Sequence, residues 1–262
     1  MAVEKTVGKT IIVYYSTIPD SVALLHALAD APLIPGEGRG GIRMLQIHGQ
    51  RLVARKYTHG GLFRMVTGDL FLDRRRATRE AEIMDYLRET GFPAVRPFCA
   101  IAERRRFGWR LHLATFLEEG VVDLLKVLQS SSRKERLRIA QGLAGAFWKL
   151  ALAGVYHPDL HPRNVLVTPE KRLVFLDFDR ASRKVIGRKD ARSMFRRLGR
   201  FVEKMEKQGQ LRATTLEKAL FLRTYARLSG MDMTEELAKP FFGAGAVKRI
   251  GWFVESALYG KR

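Results

Sequence analysis

The spacing of hydrophobic residues changes character near residue 118. Before it, short β-branched and aromatic runs alternate with turn residues, a pattern that predicts strands. These strands are predicted at residues 10–15, 42–47, 51–57, 97–103 and 109–117, with helices at 19–30 and 76–90. After it, apolar residues recur every three or four positions, which predicts helices. They are predicted at 121–129 and 133–153, and again from 189 to 262 with breaks at Gly209-Gln210, Gly230 and Gly243 to Gly245.

This order of elements predicts an α+β fold with two lobes. Residues 1–118 are expected to form a β-rich N-lobe and residues 119–262 a helical C-lobe. No apolar run approaches the roughly 18 residues of a membrane-spanning helix, and the first residues lack the layout of a signal peptide. The lone cysteine, Cys99, excludes an internal disulfide framework, suits a reducing compartment and lies in an apolar run typical of the core.

The net charge of the chain limits the kinds of binding partner that it could have. With 47 Lys and Arg against 27 Asp and Glu, the formal net charge is +20. Such a charge implies an anionic partner, namely a nucleic acid, an anionic membrane surface or a phosphorylated substrate. The basic residues are spread through the predicted helices, so we expect a charged face and not a disordered arm.

One polar constellation follows the long helix predicted at 133–153. His157, Asp159 and Asn164 have the spacing H-x-D-x-x-x-x-N, and a predicted β-hairpin then leads to Asp177. This arrangement resembles a kinase catalytic loop and its metal-binding aspartate. Asp159 would orient a hydroxyl and accept its proton, and Asn164 and Asp177 are hard oxygen ligands suited to Mg²⁺. His157 would brace the loop from inside.

Three earlier segments match the phosphate-binding parts of a kinase in the same order. Gly38, Gly40 and Gly41 form a glycine-rich loop whose backbone could approach phosphates closely. In the strand at 51–57, alternation leaves two candidates for the phosphate-binding cation: Lys56 if Ala54 faces the nucleotide, and Arg55 if Val53 does. Glu80, on the helix at 76–90, is the candidate ion-pair partner of that cation.

The chain resembles the lipopolysaccharide kinase family, specifically the 3-deoxy-D-manno-octulosonic acid (Kdo) kinases. The segments that carry the resemblance include Arg55-Lys56-Tyr57, Gly60-Gly61-Leu62, Gly91-Phe92-Pro93, Tyr156-His157-Pro158-Asp159, Asp177-Phe178-Asp179-Arg180 and Phe195-Arg196-Arg197-Leu198. The resemblance implies ATP and Mg²⁺ as cofactors and transfer of the γ-phosphate to a hydroxyl of Kdo in a lipid A-linked precursor. It also implies a peripheral enzyme on the cytoplasmic side of the inner membrane, attracted to the anionic membrane surface.

Two other functions remain open. His161-Pro162-Arg163 stands where the family usually has Asn-Ala-His, and this variant resembles aminoglycoside and choline phosphotransferases. The first alternative is therefore a kinase-fold phosphotransferase acting on another sugar, a soluble small molecule or a protein. The second is a catalytically inactive binding module for nucleic acid. The intact Asp159, Asn164 and Asp177 disfavour it, and in the absence of a nucleic-acid-binding motif no nucleic acid partner is expected.

Overall fold

The structure is a computed structural model that describes residues 2–34, 41–59 and 69–232. Gly38 and Gly40 of the predicted glycine-rich loop, the segment Gly60-Gly61-Leu62 and the predicted break at Gly243 to Gly245 lie outside these ranges. The chain divides into two compact units. The first comprises Met1–Gly120 with Leu176–Asp179, and the second comprises Val121–Phe175 with Arg180–Arg262.

An antiparallel sheet forms the framework of the first unit. Its described strands are β1 (Val3–Val7), β2 (Thr10–Tyr14), β3 (Leu33–Ile34), β4 (Ile42–Ile47), β5 (Gln50–Lys56), β6 (Leu70–Phe71), β7 (Pro97–Arg105) and β8 (Gly108–Phe116). The strand order is β1-β2-β7-β8-β5-β4-β3, and β6 pairs with β8. Among the described residues of this unit, two helices accompany the sheet, α1 (Ser21–Asp30) and α2 (Arg76–Glu89).

The side-chain alternation of β5 fixes which residues face each side of the sheet. Leu52 and Ala54 belong to the buried cluster that also contains Leu24 and Leu28 of α1. Because successive strand residues point to opposite faces, Arg55 lies on the face away from α1. That face receives Glu80 of α2, which contacts Arg55.

Two strand predictions differ from the structure in detail. The turn expected at 104–108 is shorter, because β7 continues to Arg105 and β8 resumes at Gly108. Gly108 has φ 145°, and a Cβ there would stand 2.8 Å from the carbonyl oxygen of Phe71 in β6, so the strand needs glycine at this crossing. Strand β1 was missed because nearly all its side chains are exposed, which leaves no hydrophobic run to detect.

Helices dominate the second unit. They are α3 (Leu124–Ser130), α4 (Arg133–Leu152), α5 (Arg188–Lys207) and α6 (Thr215–Ser229). Its short strands are β9 (Val122–Asp123), β10 (Val155–Tyr156), β11 (Val165–Val167), β12 (Leu173–Phe175) and β13 (Ser182–Arg183). The predicted α+β class is confirmed.

Capping residues set the helix boundaries of this unit. The side chain of Asp123 accepts hydrogen bonds from the amides of Leu125 and Lys126, so α3 begins three residues later than predicted. α6 begins with a capping box between Thr214 and Glu217 and ends at Gly230, whose φ of 67° is left-handed. Within the described residues, no helix is long and apolar enough to cross a membrane.

Candidate active site

The first unit places Arg55 against Glu80. The Nη2 of Arg55 donates to both carboxylate oxygens of Glu80, each at 2.7 Å. The hydroxyl of Tyr57 donates to Oε2 of Glu80, and the backbone N–H of Phe178 donates to Oε1 at 3.1 Å. Glu80 is only 2% exposed, and a buried carboxylate is stable only when its oxygens are satisfied in this way.

Arg55 also contacts Asp177. Its Nη1 lies 3.1 Å from Oδ1 of Asp177, so one guanidinium bridges the helix carboxylate and the predicted metal ligand. Lys56 makes a separate ion pair with Asp69, which also accepts from Nε of Arg110 at 2.8 Å. Of the two cations that alternation left open, the structure therefore brings Arg55 and not Lys56 to Glu80 and Asp177.

The environment of Glu80 changes its protonation. Burial raises the pKa of Glu80 to about 7, and the positive charge of Arg55 is the main influence that opposes this rise. Glu80 is on the buried stripe of α2 with Ala77, Ala81 and Met84, and this placement explains its removal from water. The ion pair is therefore about half formed near pH 7 and forms fully only when the pH is well above that value.

This shift predicts a pH dependence of ATP use. As the pH falls from about 8 to about 6, Glu80 takes up a proton and Arg55 loses one of its two ionic partners, the other being Asp177. We expect kcat/KM for ATP to fall over this range, and Glu80→Gln to give a lower value that changes little with pH. Steady-state kinetics on both proteins tests this. The same falling profile in Glu80→Gln would mean that another group titrates.

Helix α2 also holds the segment that carries Asp177. Arg76 donates to both oxygens of Asp179, from Nε at 2.7 Å and from Nη2 at 2.5 Å. Four residues further along α2, Glu80 accepts from the N–H of Phe178. Asp177 itself has a left-handed backbone, with φ 61°, a conformation that is uncommon outside glycine and concentrates at functional sites. Sequence patterns alone did not indicate Arg76 or Asp179 as positioning residues.

The pair of Arg76 and Asp179 should matter for metal binding. Losing a partner that orients a metal ligand typically costs about 10- to 100-fold in metal affinity or activity. We expect Asp179→Asn and Arg76→Gln to raise the Mg²⁺ concentration needed for half-maximal activity by roughly 10-fold, in line with that range. Arg75→Gln, one residue before Arg76 and outside this pair, is the matched control. A Mg²⁺ requirement equal to that of the control would contradict the role.

In the second unit, two side chains fix the loop around Asp159. His157 is fully buried, and its Nδ1 accepts from the backbone N–H of Asp159 at 3.3 Å. The amide nitrogen of Asn164 donates to the backbone carbonyl of Asp159 at 3.2 Å. A 3₁₀ turn, Pro162–Asn164, then leads into β11. His157 and Asn164 thus hold the backbone of Asp159 from both sides.

Helix α5 lays one stripe of side chains along this loop. Residues four apart on a helix share a face, and three such residues each meet a loop residue in the same order along the chain. The pairs are Ser193 with Tyr156 (2.8 Å between hydroxyls), Arg197 with Asp159 (Nε to Oδ1, 2.6 Å) and Phe201 with His161 (stacked rings, 4.5 Å between centroids). The contact of Arg197 with Asp159 was not predicted from the sequence.

Of the three predicted loop glycines, the described residues include Gly41 alone. It has φ 63°, and a Cβ there would stand 2.9 Å from the carbonyl oxygen of Ile34. The close pairing of β3 with β4 therefore accounts for glycine at this position.

Within the described ranges, there is no group of three or more His, Cys, Asp or Glu side chains that could hold a metal ion. A kinase magnesium site does not need one, because one Asp and one Asn supply the protein ligands and phosphates and water complete the shell. Asn164 uses its amide nitrogen in a hydrogen bond and keeps its carbonyl oxygen for a metal. Asp177 is half-exposed, and in the described part of the chain only its Oδ1 is engaged, by Arg55. Each residue therefore fits the role of a Mg²⁺ ligand.

Comparison with known proteins finds a matching family model and several similar proteins. The model of the lipopolysaccharide kinase (Kdo/WaaP) family matches residues 26–225. A 3-deoxy-D-manno-octulosonic acid kinase of Vibrio vulnificus is 29% identical over 147 residues, which is 55% of this chain and 61% of that protein. The kinase of the same name from Vibrio parahaemolyticus is 26% identical over 65% of this chain and 73% of its own length.

A third similar protein is the 3-deoxy-D-manno-octulosonic acid kinase of Xanthomonas oryzae pv. oryzae. It is 31% identical over 55% of this chain and 58% of its own length. The chain thus spans about three fifths of the length of several of the curated relatives that it matches.

Proposed function

Because the chain belongs to the lipopolysaccharide kinase (Kdo/WaaP) family, we propose that it transfers the γ-phosphate of ATP to a hydroxyl of Kdo in a lipid A-linked lipopolysaccharide precursor. The observation that carries the proposal is the arrangement of Arg55, whose guanidinium is held by buried Glu80 and contacts Asp177. An ion pair between a strand cation and a helix glutamate, next to a metal-binding aspartate, is a requirement of kinase catalysis.

Each residue has one role in this reaction. Arg55 presents a fixed positive charge to the α- and β-phosphates, and Glu80 orients it. Asp177 and Asn164 would each be ligands for Mg²⁺, and the metal would supply neutralisation of the charge that develops on the phosphates. Asp159 accepts the proton of the acceptor hydroxyl. The hydroxyl oxygen meanwhile forms a bond to the γ-phosphorus, and the bond between that phosphorus and ADP breaks. His157 keeps the backbone of Asp159 in place.

The direct test is incubation with Mg·ATP and a Kdo-lipid A precursor, followed by mass spectrometry of the lipid. We expect one added phosphate on the Kdo portion with the natural protein. We expect none with the Asp159→Asn variant. Parallel incubations with other sugars and soluble alcohols address the alternative suggested by His161-Pro162-Arg163. Phosphate on a soluble acceptor, with the lipid unchanged, would contradict the proposed acceptor but retain the reaction type.

We extend the proposal to a peripheral association with the anionic membrane surface at the cytoplasmic side of the inner membrane. The net charge of +20 supports it, since each well-placed Lys or Arg contributes about 1 kcal/mol at such a surface. The β7–β8 hairpin offers a suitable tip, with Arg104, Arg105 and Arg106 followed by Phe107, which is 72% exposed. An aromatic ring beside cations is typical of a group that lies at the level of lipid head groups.

Membrane attraction predicts a salt dependence. Long-range attraction of exposed charges is screened over about 8 Å at physiological salt, so activity on acceptor in anionic vesicles should fall steeply as salt rises. ATP binding without lipid should change much less. Replacing Arg104, Arg105 and Arg106 by Gln should reproduce the fall, whereas the matched triple change at exposed Arg133, Lys134 and Arg138 should not.

A detergent-dispersed acceptor separates recruitment from substrate contact. With it, the hairpin variant should regain the activity of the unaltered protein. If salt and the hairpin substitutions leave vesicle activity unchanged, the net charge has no role in membrane recruitment.

A further inference from the structure

Arg197 of α5 contacts Asp159, and a general attraction of basic residues to a membrane surface does not explain this contact. Its Nε donates to Oδ1 of Asp159 at 2.6 Å, and its Nη2 contacts the same oxygen. Arg196, the preceding residue, is exposed and in the described part of the chain makes no side-chain contact of this kind. Only Arg197 of these two neighbours therefore reaches the residue proposed to accept the acceptor's proton.

The contact leaves both partners with unused binding capacity. Within the described residues, no hydrogen bond involves Oδ2 of Asp159 or Nη1 of Arg197. The side chains remain 29% and 36% exposed, respectively, so solvent and ligands can reach them. A guanidinium has five N–H donors in a fixed plane, and the edge away from its first partner can hold a second carboxylate with two parallel hydrogen bonds.

Packing makes this placement rigid. One turn before Arg197, Ser193 bonds to Tyr156, and one turn after it Phe201 stacks on His161. Arg197 is therefore fixed on a helix that is attached to the loop on both sides, and preorganised groups of this kind give a site its geometric precision. The exposed Arg200, three residues further along the same helix, adds positive potential that favours an anionic ligand.

We infer that Arg197 binds the carboxylate of the acceptor, so that the enzyme selects an acidic sugar. The acceptor hydroxyl would give its proton to Oδ2 of Asp159 while the acceptor carboxylate lies on the free edge of the guanidinium. Kdo, a sugar acid, carries both groups in one residue. This inference rests on the proposed function, and it identifies the acceptor as a hydroxy acid and not a neutral sugar.

The test compares two acceptors in detergent: the lipid A-linked Kdo precursor and the same molecule with its carboxylates converted to carboxamides. The natural protein should prefer the carboxylate roughly 10- to 100-fold in kcat/KM, as expected for a charge-assisted hydrogen-bonded pair. In Arg197→Gln this preference should fall to about 1. The loss should appear mainly as a higher KM for the acid, with the KM for ATP unchanged. Arg196→Gln removes the same charge from the adjacent position and should keep the preference.

A role limited to orienting Asp159 or to binding the transferred phosphate gives a different result. Arg197→Gln would then lower kcat equally for both acceptors and leave the preference intact, which would overturn the inference while the proposed kinase function stands. Arg197→Lys keeps the charge without the planar fork and should restore only part of the preference. If the natural protein phosphorylates neither acceptor, the proposed function fails and the inference fails with it.

Discussion

Replacing Asp177 by Asn is expected to abolish phosphate transfer, with a loss of roughly 10³-fold or more. The charge stabilisation by a bound metal amounts to several kcal/mol, and each 1.36 kcal/mol is tenfold in rate. An Asn amide is a neutral and weaker ligand for Mg²⁺ than a carboxylate. The effect should appear in kcat, together with a large rise in the Mg²⁺ concentration needed for any residual activity.

The fold should survive this change, so the loss can be assigned to chemistry. Asp177 is 40% exposed, and its one ion pair among the described residues is with Arg55. Partly exposed pairs contribute about 0–1 kcal/mol to stability. Thermal unfolding of Asp177→Asn should therefore resemble that of Asp30→Asn, an exposed control at the end of α1. Near-normal turnover of Asp177→Asn at saturating Mg²⁺ would remove Asp177 from the metal site.

Replacing Arg55 by Met is expected to affect both stability and activity. Breaking a buried ion pair typically costs about 3–5 kcal/mol because a buried charge is left without a partner. Since about a third of the Arg55 side chain is exposed, we expect a smaller loss of about 2–3 kcal/mol in the free energy of unfolding. ATP-dependent activity should fall by roughly 100-fold or more, since the cation proposed to face the phosphates is removed.

A double variant separates the two effects. Arg55→Met with Glu80→Gln removes both charges, so stability should recover in large part while activity stays low. Lys56→Met is the matched control on the neighbouring position, and we expect it to change stability by less than about 1 kcal/mol with little effect on the KM for ATP. Equal and mild effects of Arg55→Met and Lys56→Met on ATP kinetics would mean that β5 is not the phosphate-binding strand.

The sequence was sufficient to locate most elements of the site because their signals are local. His157, Asp159 and Asn164 lie within one loop, and their spacing matches the contacts that His157 and Asn164 make with the backbone of Asp159. Helix α2 was likewise predicted from the spacing of its apolar residues. Glu80 is buried on this helix and contacts Arg55, one of its two candidate partners.

The choice between Arg55 and Lys56 could not be made from the pattern alone. Val53 and Ala54 are both apolar. Side-chain alternation along β5 therefore predicts that they point to opposite faces of the sheet, but it does not indicate which face contacts α2. The structure resolves this because Ala54 packs in the cluster with α1, which turns Arg55 to the other face.

Two contacts were beyond the reach of sequence patterns because they join distant positions. Arg76 and Asp179 are 103 residues apart, and Arg197 and Asp159 are 38 apart. In the sequence, each of these arginines looks like an ordinary exposed residue of a helix. Only tertiary packing distinguishes it from its neighbour. Arg196 and Arg197 lie in one segment of the family resemblance, and the contact of Arg197 with Asp159 means that the two should be substituted separately.

A single-turnover experiment tests the central claim most directly. Excess protein is mixed with Mg²⁺, ATP labelled in its γ-phosphate and the Kdo-lipid A precursor, and the label is followed on the lipid, in ATP and as free phosphate. The label should move from ATP to the Kdo of the lipid in the natural protein, and it should remain in ATP in Asp159→Asn and Asp177→Asn. Label that stays in ATP or appears only as free phosphate in the natural protein, or transfer at an undiminished rate in Asp159→Asn, would contradict the proposed kinase.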